Sequence, residues 1–186
     1  MSRRGWILAA ALAALFGTHE AFAAGGFAVT SSTFKDGERL PQKAAGNNKS
    51  NPNCVGESVS PQFTLLNPPE GTRSFALLMF DPEGRPPGGV SHLVAYGIPA
   101  SVTSFAEGEL SRPSDKFIGG IGTAKLSVYT GPCTPPGAPH HYIFTWIATD
   151  LDPKALKQGM TRDEVIKALD GHPKGATGII GTFSHS

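Results

Sequence analysis

The sequence lacks the features that mark several large functional classes. Its charges nearly cancel, with 16 Lys and Arg against 15 Asp and Glu among 186 residues. A chain without a basic excess has no general electrostatic reason to bind nucleic acid or an anionic membrane. It also has no Gly-Lys-Ser/Thr phosphate loop, no Gly-x-Ser-x-Gly nucleophile motif and no internal repeat. These absences argue against a nucleic-acid-binding protein, a P-loop NTPase and a hydrolase with that serine motif.

Cysteine is scarce, since Cys54 and Cys133 are the only two in the chain. The Cys-x-x-Cys spacing of zinc sites is missing, so the pair alone is a poor metal site. In an exported chain an even cysteine count favours one disulfide. Two buried free thiols are the alternative.

The sequence has no apolar run long enough to span a membrane as a helix. Its longest apolar run lies at the N-terminus. The segment "MSRRGWILAAALAALFGTHEAFA" has two arginines, an apolar run and a small-residue cleavage site, Ala21-Phe22-Ala23. Its apolar part is too short to span about 30 Å of hydrocarbon as a helix. We therefore predict a cleaved signal peptide of residues 1–23, a single mature domain of residues 24–186, and a periplasmic or secreted protein. Removing these residues lowers the net charge from +1 to zero, and both Sec and twin-arginine export remain open.

Glycine and proline are abundant, with 23 and 16 residues, which favours a loop-rich β protein. Short apolar or alternating runs bounded by Pro, Gly and Asn predict strands in "SPQFTLLN", "SFALLMFDP", "GVSHLVAYGIPA", "HYIFTWIATD" and "TGIIGTF". Residues 27–34 predict a first strand, and residues 75–80 are apolar throughout, as in a strand buried on both faces. The strands follow one another without intervening helices, which favours a mainly β, antiparallel fold.

One or two short helices are predicted near the C-terminus. "DPKALKQGM" predicts a short helical turn. Thr161 and Glu164 match the S/T-x-x-E capping box, and Val165, Ile166 and Leu169 would form the buried stripe of the helix that follows.

Polar residues interrupt three of the apolar runs: Asp81, His92, and His140 with Tyr142. Because side chains alternate along a strand, His140 and Tyr142 share one face and His141 takes the other. Neighbouring strands would bring these groups into one pocket. Each also has a structural interpretation, as a turn-forming aspartate, core histidines or a core tyrosine. A zinc site of Asp81, His92 and His140 is a further alternative.

Three blocks in this order, "FALLMFDPEG", "GVSHLVAYGIP" and "YTGPCTPPGAPHHYIFTWIATD", resemble the signatures of the phosphatidylethanolamine-binding protein (PEBP) family, in its bacterial Raf kinase inhibitor-like branch. "NCVGESVSPQFTL" resembles a further family segment upstream. The resemblance implies a central antiparallel sheet packed against a smaller one, with an anion pocket at one end. The implied pocket residues are Asp81, His92, His140 and Tyr142, with Gly131 and Pro132 as its wall.

Two positions depart from the family pattern. Glu83 stands where an aspartate is usual, and His141 stands where the family has an arginine. These departures lengthen one side chain and remove a cation, so the ligand preference of this pocket could differ from that of its relatives.

The resemblance and the residue chemistry together predict an exported, non-catalytic protein that binds a small anionic or phosphorylated ligand without a cofactor. We expect His92 and His140 to act as neutral donors or to become charged beside an anion, and Asp81 to accept a hydrogen bond from a histidine. Prolines in the third block would hold the pocket wall rigid. The alternative is a protease- or kinase-inhibitor-type interaction protein whose contact is gated by the pocket. A hydrolase or metal enzyme ranks last.

Overall fold

The computed structural model describes residues 25–185, so the predicted signal peptide lies outside the described residues. This part of the chain forms eight strands and one α-helix. The strands are β1 (Ala28–Thr30), β2 (Phe63–Leu66), β3 (Ser74–Asp81), β4 (Val90–Pro99), β5 (Ser104–Phe105), β6 (Ile118–Gly119), β7 (His140–Thr149) and β8 (Pro173–Phe183). The helix is α1 (Arg162–Ala168), and two single 3₁₀ turns lie at Gln42–Ala44 and Glu109–Ser111. None of the described helices is long and apolar enough to cross a membrane.

The strands form two antiparallel sheets, which confirms the predicted fold class. The larger sheet has the order β6-β4-β3-β7-β8, and the smaller has the order β1-β2-β5. Every strand pair is antiparallel. The end of β3 and the start of β7 therefore meet at one edge of the larger sheet, with Phe80 opposite Ile143.

The central strand β3 is buried on both faces, as its continuous apolar run predicts. Phe75, Leu77 and Met79 belong to the main core between the two sheets. Ala76 and Leu78 point to the opposite face, where they join a second core that includes residues of α1. Packing on both faces holds β3 in place. Its last residue, Asp81, lies at the end of the sheet.

Aromatic side chains fill the core between the sheets. Phe63 of β2 packs against Phe144 and Trp146 of β7 with ring centroids 5.0 and 5.7 Å apart. Phe105 of β5 lies 5.9 Å from Trp146. Offset and edge-on contacts at these distances add to the area that the rings remove from water, so they hold the smaller sheet against β7.

The helix α1 begins where the capping box predicts. Thr161 Oγ1 accepts from the Glu164 backbone N–H at 3.4 Å, and the Glu164 carboxylate accepts from the Thr161 N–H at 2.8 Å. Val165 and Leu169 are buried, as predicted, but the prediction for Ile166 is wrong because its side chain is 41% exposed. A seven-residue helix on a sheet buries only the narrow stripe of positions i and i+4.

The predicted bounds of two strands and one predicted helical turn are also wrong. The first strand covers only Ala28–Thr30, and the last begins at Pro173 because the ten-residue β7 supplies a partner along its whole length. "DPKALKQGM" forms turns rather than a helical turn. There the buried hydroxyl of Tyr96 donates to the Lys157 carbonyl at 2.7 Å and accepts from the Met160 N–H at 3.2 Å, so tertiary contacts replace the helical bonds.

Candidate functional site

A pocket opens at the end of the larger sheet where β3 ends and β4 and β7 begin. Its volume is about 800 Å³, and it is lined by Asp81, His92, His140 and Tyr142 together with the surrounding loops. The four polar residues predicted to converge therefore do so, because β3 lies between β4 and β7 in the sheet. Their clustering was not visible from any one strand.

Asp81 is buried at the base of this pocket, with 3% of its surface exposed. Its Oδ2 accepts from His140 Nδ1 at 2.9 Å. Its Oδ1 accepts from the backbone N–H groups of Glu83 and Gly84 at 2.9 and 3.0 Å. The carboxylate thus fixes both the ring of His140 and the turn after β3, and it accepts a hydrogen bond from a histidine as predicted.

A backbone carbonyl fixes the ring of His92. Its Nδ1 donates to the Thr130 carbonyl at 2.8 Å, and Thr130 Oγ1 donates to the His92 carbonyl at 2.8 Å. The Tyr142 ring lies edge-on to the imidazole with centroids 5.2 Å apart. Burial lowers the pKa of His92 below its ordinary value of 6.5, although the Thr130 carbonyl and Asp81 oppose this shift.

These contacts change the expected chemistry of the two histidines. A carbonyl and a carboxylate only accept hydrogen bonds, so the single N–H of each neutral ring sits on Nδ1. No group within residues 25–185 hydrogen-bonds the Nε2 of either His92 or His140. In their neutral forms the two rings therefore offer acceptors to the pocket, and they donate from Nε2 only when protonated.

Tyr142 is almost fully buried, and its hydroxyl shares a hydrogen bond of 2.6 Å with Thr134 Oγ1. Burial raises the pKa of Tyr142, so the hydroxyl stays neutral. Gly131 and Pro132 are both buried, and the Pro132 carbonyl accepts from the Gly46 N–H at 2.7 Å. Of the two predicted wall residues, Gly131 alone is among those lining the cavity.

A disulfide between Cys54 and Cys133 ties together two loops of the wall, in agreement with the prediction. Both cysteines line the pocket. The Gly131 N–H also donates to Ser58 Oγ at 3.2 Å, and a Cβ at Gly131 would overlap the backbone of residues 44–46. The absence of a side chain at Gly131 allows this close approach, which fixes the wall before any ligand arrives.

Comparison with known proteins places this pocket in context. A family model for phosphatidylethanolamine-binding proteins matches residues 30–184. The chain belongs to the PEBP family. It is 32% identical to a UPF0098 protein of Aquifex aeolicus over 176 residues, which cover 92% of this chain and 98% of the relative. A UPF0098 protein of Methanothermobacter thermautotrophicus is 31% identical over 154 residues, covering 81% and 93% of the two chains.

Solved structures of PEBP homologues share the fold. YbcL of Escherichia coli, described as a new member of the mammalian PEBP family, has a TM-score of 0.79 at 26% identity and covers 87% of this chain and 100% of its own. A PEBP homologue from Chlamydia trachomatis has a TM-score of 0.73 at 27% identity, covering 86% and 98%. The two sheets described above thus belong to a PEBP fold.

The two departures from the PEBP pattern contact each other. Glu83 accepts from both the Nδ1 and the backbone N–H of His141, at 2.8 and 3.1 Å. Burial opposes ionisation of Glu83, but these hydrogen bonds outweigh it and lower its pKa. The pair lies at the exposed rim of the pocket, so the longer acid holds the histidine that replaces the usual arginine.

Sequence reasoning missed several residues of this PEBP pocket. Arg85 lines the cavity and is the single Lys or Arg among its lining residues. Thr130 and Thr134, which hold His92 and Tyr142, lie inside the third signature block but carry no signal of their own. Arg85 lies close after Asp81 in the loop to β4, and a cation so near a predicted pocket residue was the available clue.

The side chains of the pocket do not form a metal site in the described part of the chain. Within residues 25–185 no three His, Cys, Asp or Glu side chains are placed to hold a metal ion together. The expected third ligand, Asp81, directs its oxygens to His140 and to two backbone N–H groups. The arrangement does not favour the zinc site of Asp81, His92 and His140.

Proposed function

We propose that this PEBP-family protein is an exported binding protein that holds a small anionic or phosphorylated ligand in its pocket without converting it. The observation that carries the proposal is that His92 and His140 line one pocket and are each fixed at Nδ1, while neither Nε2 has a hydrogen-bond partner within residues 25–185. Family membership supports a ligand-binding role.

The size and lining of the pocket suit a phosphate-bearing head group. A volume of about 800 Å³ lies in the range of small-molecule sites, about 300–1,000 Å³. Arg85 supplies one guanidinium, which pairs well with phosphate oxygens. Hydroxyl and amide groups around it offer neutral donors, from Asn47, Asn48, Asn51, Ser58 and Thr123. The ligand would be recognised by one cation, two titratable rings and several neutral donors.

The site favours binding over covalent catalysis. A hydrolase of the acyl-transfer type needs a nucleophile hydrogen-bonded to its base. In the described part of the chain, neither His92 nor His140 hydrogen-bonds a serine, threonine or cysteine side chain through Nε2. The Asp81–His140 pair resembles two members of a triad, but a hydroxyl partner that would complete it is not in contact.

Export is supported by two independent features. Residues 1–23 have the charge, apolar run and cleavage site of a signal peptide. The Cys54–Cys133 disulfide suits the periplasm or the exterior, because thiols in the cytosol are kept reduced.

Calorimetric titration of phosphoethanolamine and inorganic phosphate into the chain beginning at Ala24 tests the proposal. We expect saturable binding at pH 6.5 that weakens about 10- to 100-fold in His140→Ala, because a hydrogen bond to a charged group contributes about 1.5–3 kcal/mol. His172→Ala is the matched control, since His172 is also bonded to a carboxylate, Asp150, at 2.8 Å but lies at the opposite end of β7. No saturable heat with either ligand, or equal losses in both variants, would refute the proposal.

A further inference from the structure

Residues 47–55, which we call the asparagine loop, contribute to the lining of the pocket. The loop is closed at its base by the Gly56 N–H, which donates to the Gly46 carbonyl at 2.8 Å. Its residues that line the cavity are Asn47, Asn48, Asn51 and the disulfide-bonded Cys54. The loop thus brings three amide side chains to the cavity.

Most hydrogen bonds of the asparagine loop are internal. Four of them, two between backbone groups and two from the backbone to asparagine side chains, lie within residues 48–54. In the described part of the chain, bonds to neighbouring segments occur only at the two ends of the loop. The Asn47 amide donates to the Glu57 carbonyl at 3.3 Å, and the Val55 carbonyl accepts from the Gln42 amide at 3.0 Å.

The disulfide is the remaining attachment of this loop. Among hydrogen bonds and cross-links of the described chain, only the bond from Cys54 to Cys133 joins residues 48–54 to the rest of the fold. Both cysteines are half-buried and line the cavity, so solvent reaches the bond from the pocket. Exposed disulfides are the labile and regulatory ones, because a thiolate has access to their sulfur atoms.

Without the cross-link, residues 48–54 lose the constraint that keeps them at the cavity. Holding their backbone in one conformation costs entropy. Their four internal hydrogen bonds return little net free energy, because water can replace them. We therefore expect the loop to open locally, and the amides of Asn48 and Asn51 then leave the cavity.

Resting on the proposed function, we propose that the Cys54–Cys133 bond is a redox switch that keeps the asparagine loop closed over the ligand and opens it on reduction. The reductant is a dithiol. One of its thiolates attacks a sulfur of the bond to form a mixed disulfide, and its second thiol then displaces the bound cysteine. Two electrons and two protons pass to the protein, which ends with two thiols, and the reductant ends as a disulfide.

The switch and the ligand are coupled in both directions. If reduction weakens phosphate binding by some factor, bound phosphate must favour the disulfide over the two thiols by the same factor. The pocket therefore retains its ligand under oxidising conditions and releases it where a dithiol reaches the bond.

Trypsin cleavage after Lys49 reports the position of the loop without any ligand. Lys49 is exposed within the loop, and Lys154, exposed in the segment after β7, is the control site. The chain beginning at Ala24 is reduced with dithiothreitol, which is then removed in the absence of oxygen. We expect cleavage after Lys49 to become about tenfold faster or more on reduction, because cleavage follows the population of the open loop. Cleavage after Lys154 should not change.

Two further measurements show whether the change is local. Trp146 is the only tryptophan of the chain beginning at Ala24 and is buried in the core, so its fluorescence should not change on reduction. The double variant Cys54→Ser, Cys133→Ser should be cleaved after Lys49 as fast as the reduced wild type, with or without dithiothreitol.

Three outcomes of these measurements would overturn the inference. The first is equal cleavage after Lys49 in the oxidised and reduced chains. The second is a red shift of the Trp146 emission with faster cleavage after Lys154, which would mean that reduction unfolds the whole domain. The third is a disulfide that dithiothreitol does not reduce in the folded protein.

Calorimetry with sodium phosphate tests the effect on the ligand. We expect phosphate to bind the reduced chain about tenfold more weakly than the oxidised chain, and re-oxidation to restore the affinity. Equal affinities in the two forms would overturn the switch and leave the proposed function standing. Failure of the oxidised chain to bind either phosphate or phosphoethanolamine would instead overturn the proposed function, and with it the control of a ligand.

Discussion

At the scale of single residues, Asp81 couples two parts of the site. One of its oxygens orients His140, and the other accepts from the backbone of Glu83 and Gly84. The same carboxylate therefore positions a ring that lines the pocket and the start of the loop that carries Arg85. Both oxygens of Asp81 are thus engaged by groups of the protein itself.

The lowered pKa of His92 predicts a pH dependence of stability. The unfolded chain protonates this histidine near pH 6.5 and the folded chain only below that value, because burial disfavours the charged ring. Its contribution to stability is thus present above pH 6.5 and is lost as pH falls through the folded pKa. We expect the ligand-free protein to lose more unfolding free energy between pH 7.5 and 5.5 than His92→Gln does, as measured by urea denaturation.

Two comparisons make this prediction selective. His172→Gln should follow the wild-type profile, because it leaves the buried ring of His92 in place. Parallel profiles for wild type and His92→Gln would show that the buried ring makes no such contribution.

Several of the residues that line the pocket could be predicted from the sequence, but their hydrogen bonds could not. Asp81, His92 and His140 interrupt apolar strands and match family blocks, so their positions were informative. Which nitrogen of His92 faces the cavity depends on the Thr130 carbonyl, which lies 38 positions away and is placed by tertiary packing. No local pattern reports such a contact.

At the scale of elements, the start of α1 is set by a local sequence motif, whereas the burial of its side chains is set by packing. Its start at Thr161 was predictable because a capping box is a local motif. The exposure of Ile166 was not, because it depends on how the helix lies on the sheet. The turns of residues 151–160 differ from the sequence prediction for the same reason, since the Tyr96 hydroxyl binds their backbone.

Loss of the cap should destabilise this helix measurably. Thr161→Ala removes the oxygen that accepts from the Glu164 N–H. It also removes the hydroxyl that donates to the Glu164 carboxylate. We expect a loss of about 1 kcal/mol in unfolding free energy by urea denaturation. Thr161→Ser retains the oxygen and should lose only a few tenths of that. Equal losses in the two variants would mean that the methyl group, rather than the cap, carries the effect.

At the scale of the whole molecule, the disulfide joins positions 79 residues apart in sequence and lies in the pocket wall. Cross-linking so long a loop contributes about 4 kcal/mol on the chain-entropy model. We expect the double variant Cys54→Ser, Cys133→Ser to lose up to this amount in urea denaturation and to bind phosphate more weakly. Denatured wild-type protein should show no free thiol without reductant. Two free thiols, or full stability in the double variant, would contradict this.

The global arrangement was accessible from the sequence only through its family resemblance. Alternation and apolar runs predicted most strands and an antiparallel class, but the order β6-β4-β3-β7-β8 is not sequential. Pairing of β3 with β7 depends on contacts across the intervening segment, which periodicity does not encode. The volume of the pocket and the presence of Arg85 in it likewise follow from how loops meet in space.

This sheet order also determines when both edges of β3 can be paired during synthesis. β3 can pair with β4 as soon as both leave the ribosome, but its other edge waits for β7, whose first residue follows Asp81 by 59 positions. Until then an apolar strand has an open edge, which is a template for association with another nascent chain. A translation product that stops before residue 140 is therefore prone to aggregate, whereas the finished chain encloses β3 on both sides.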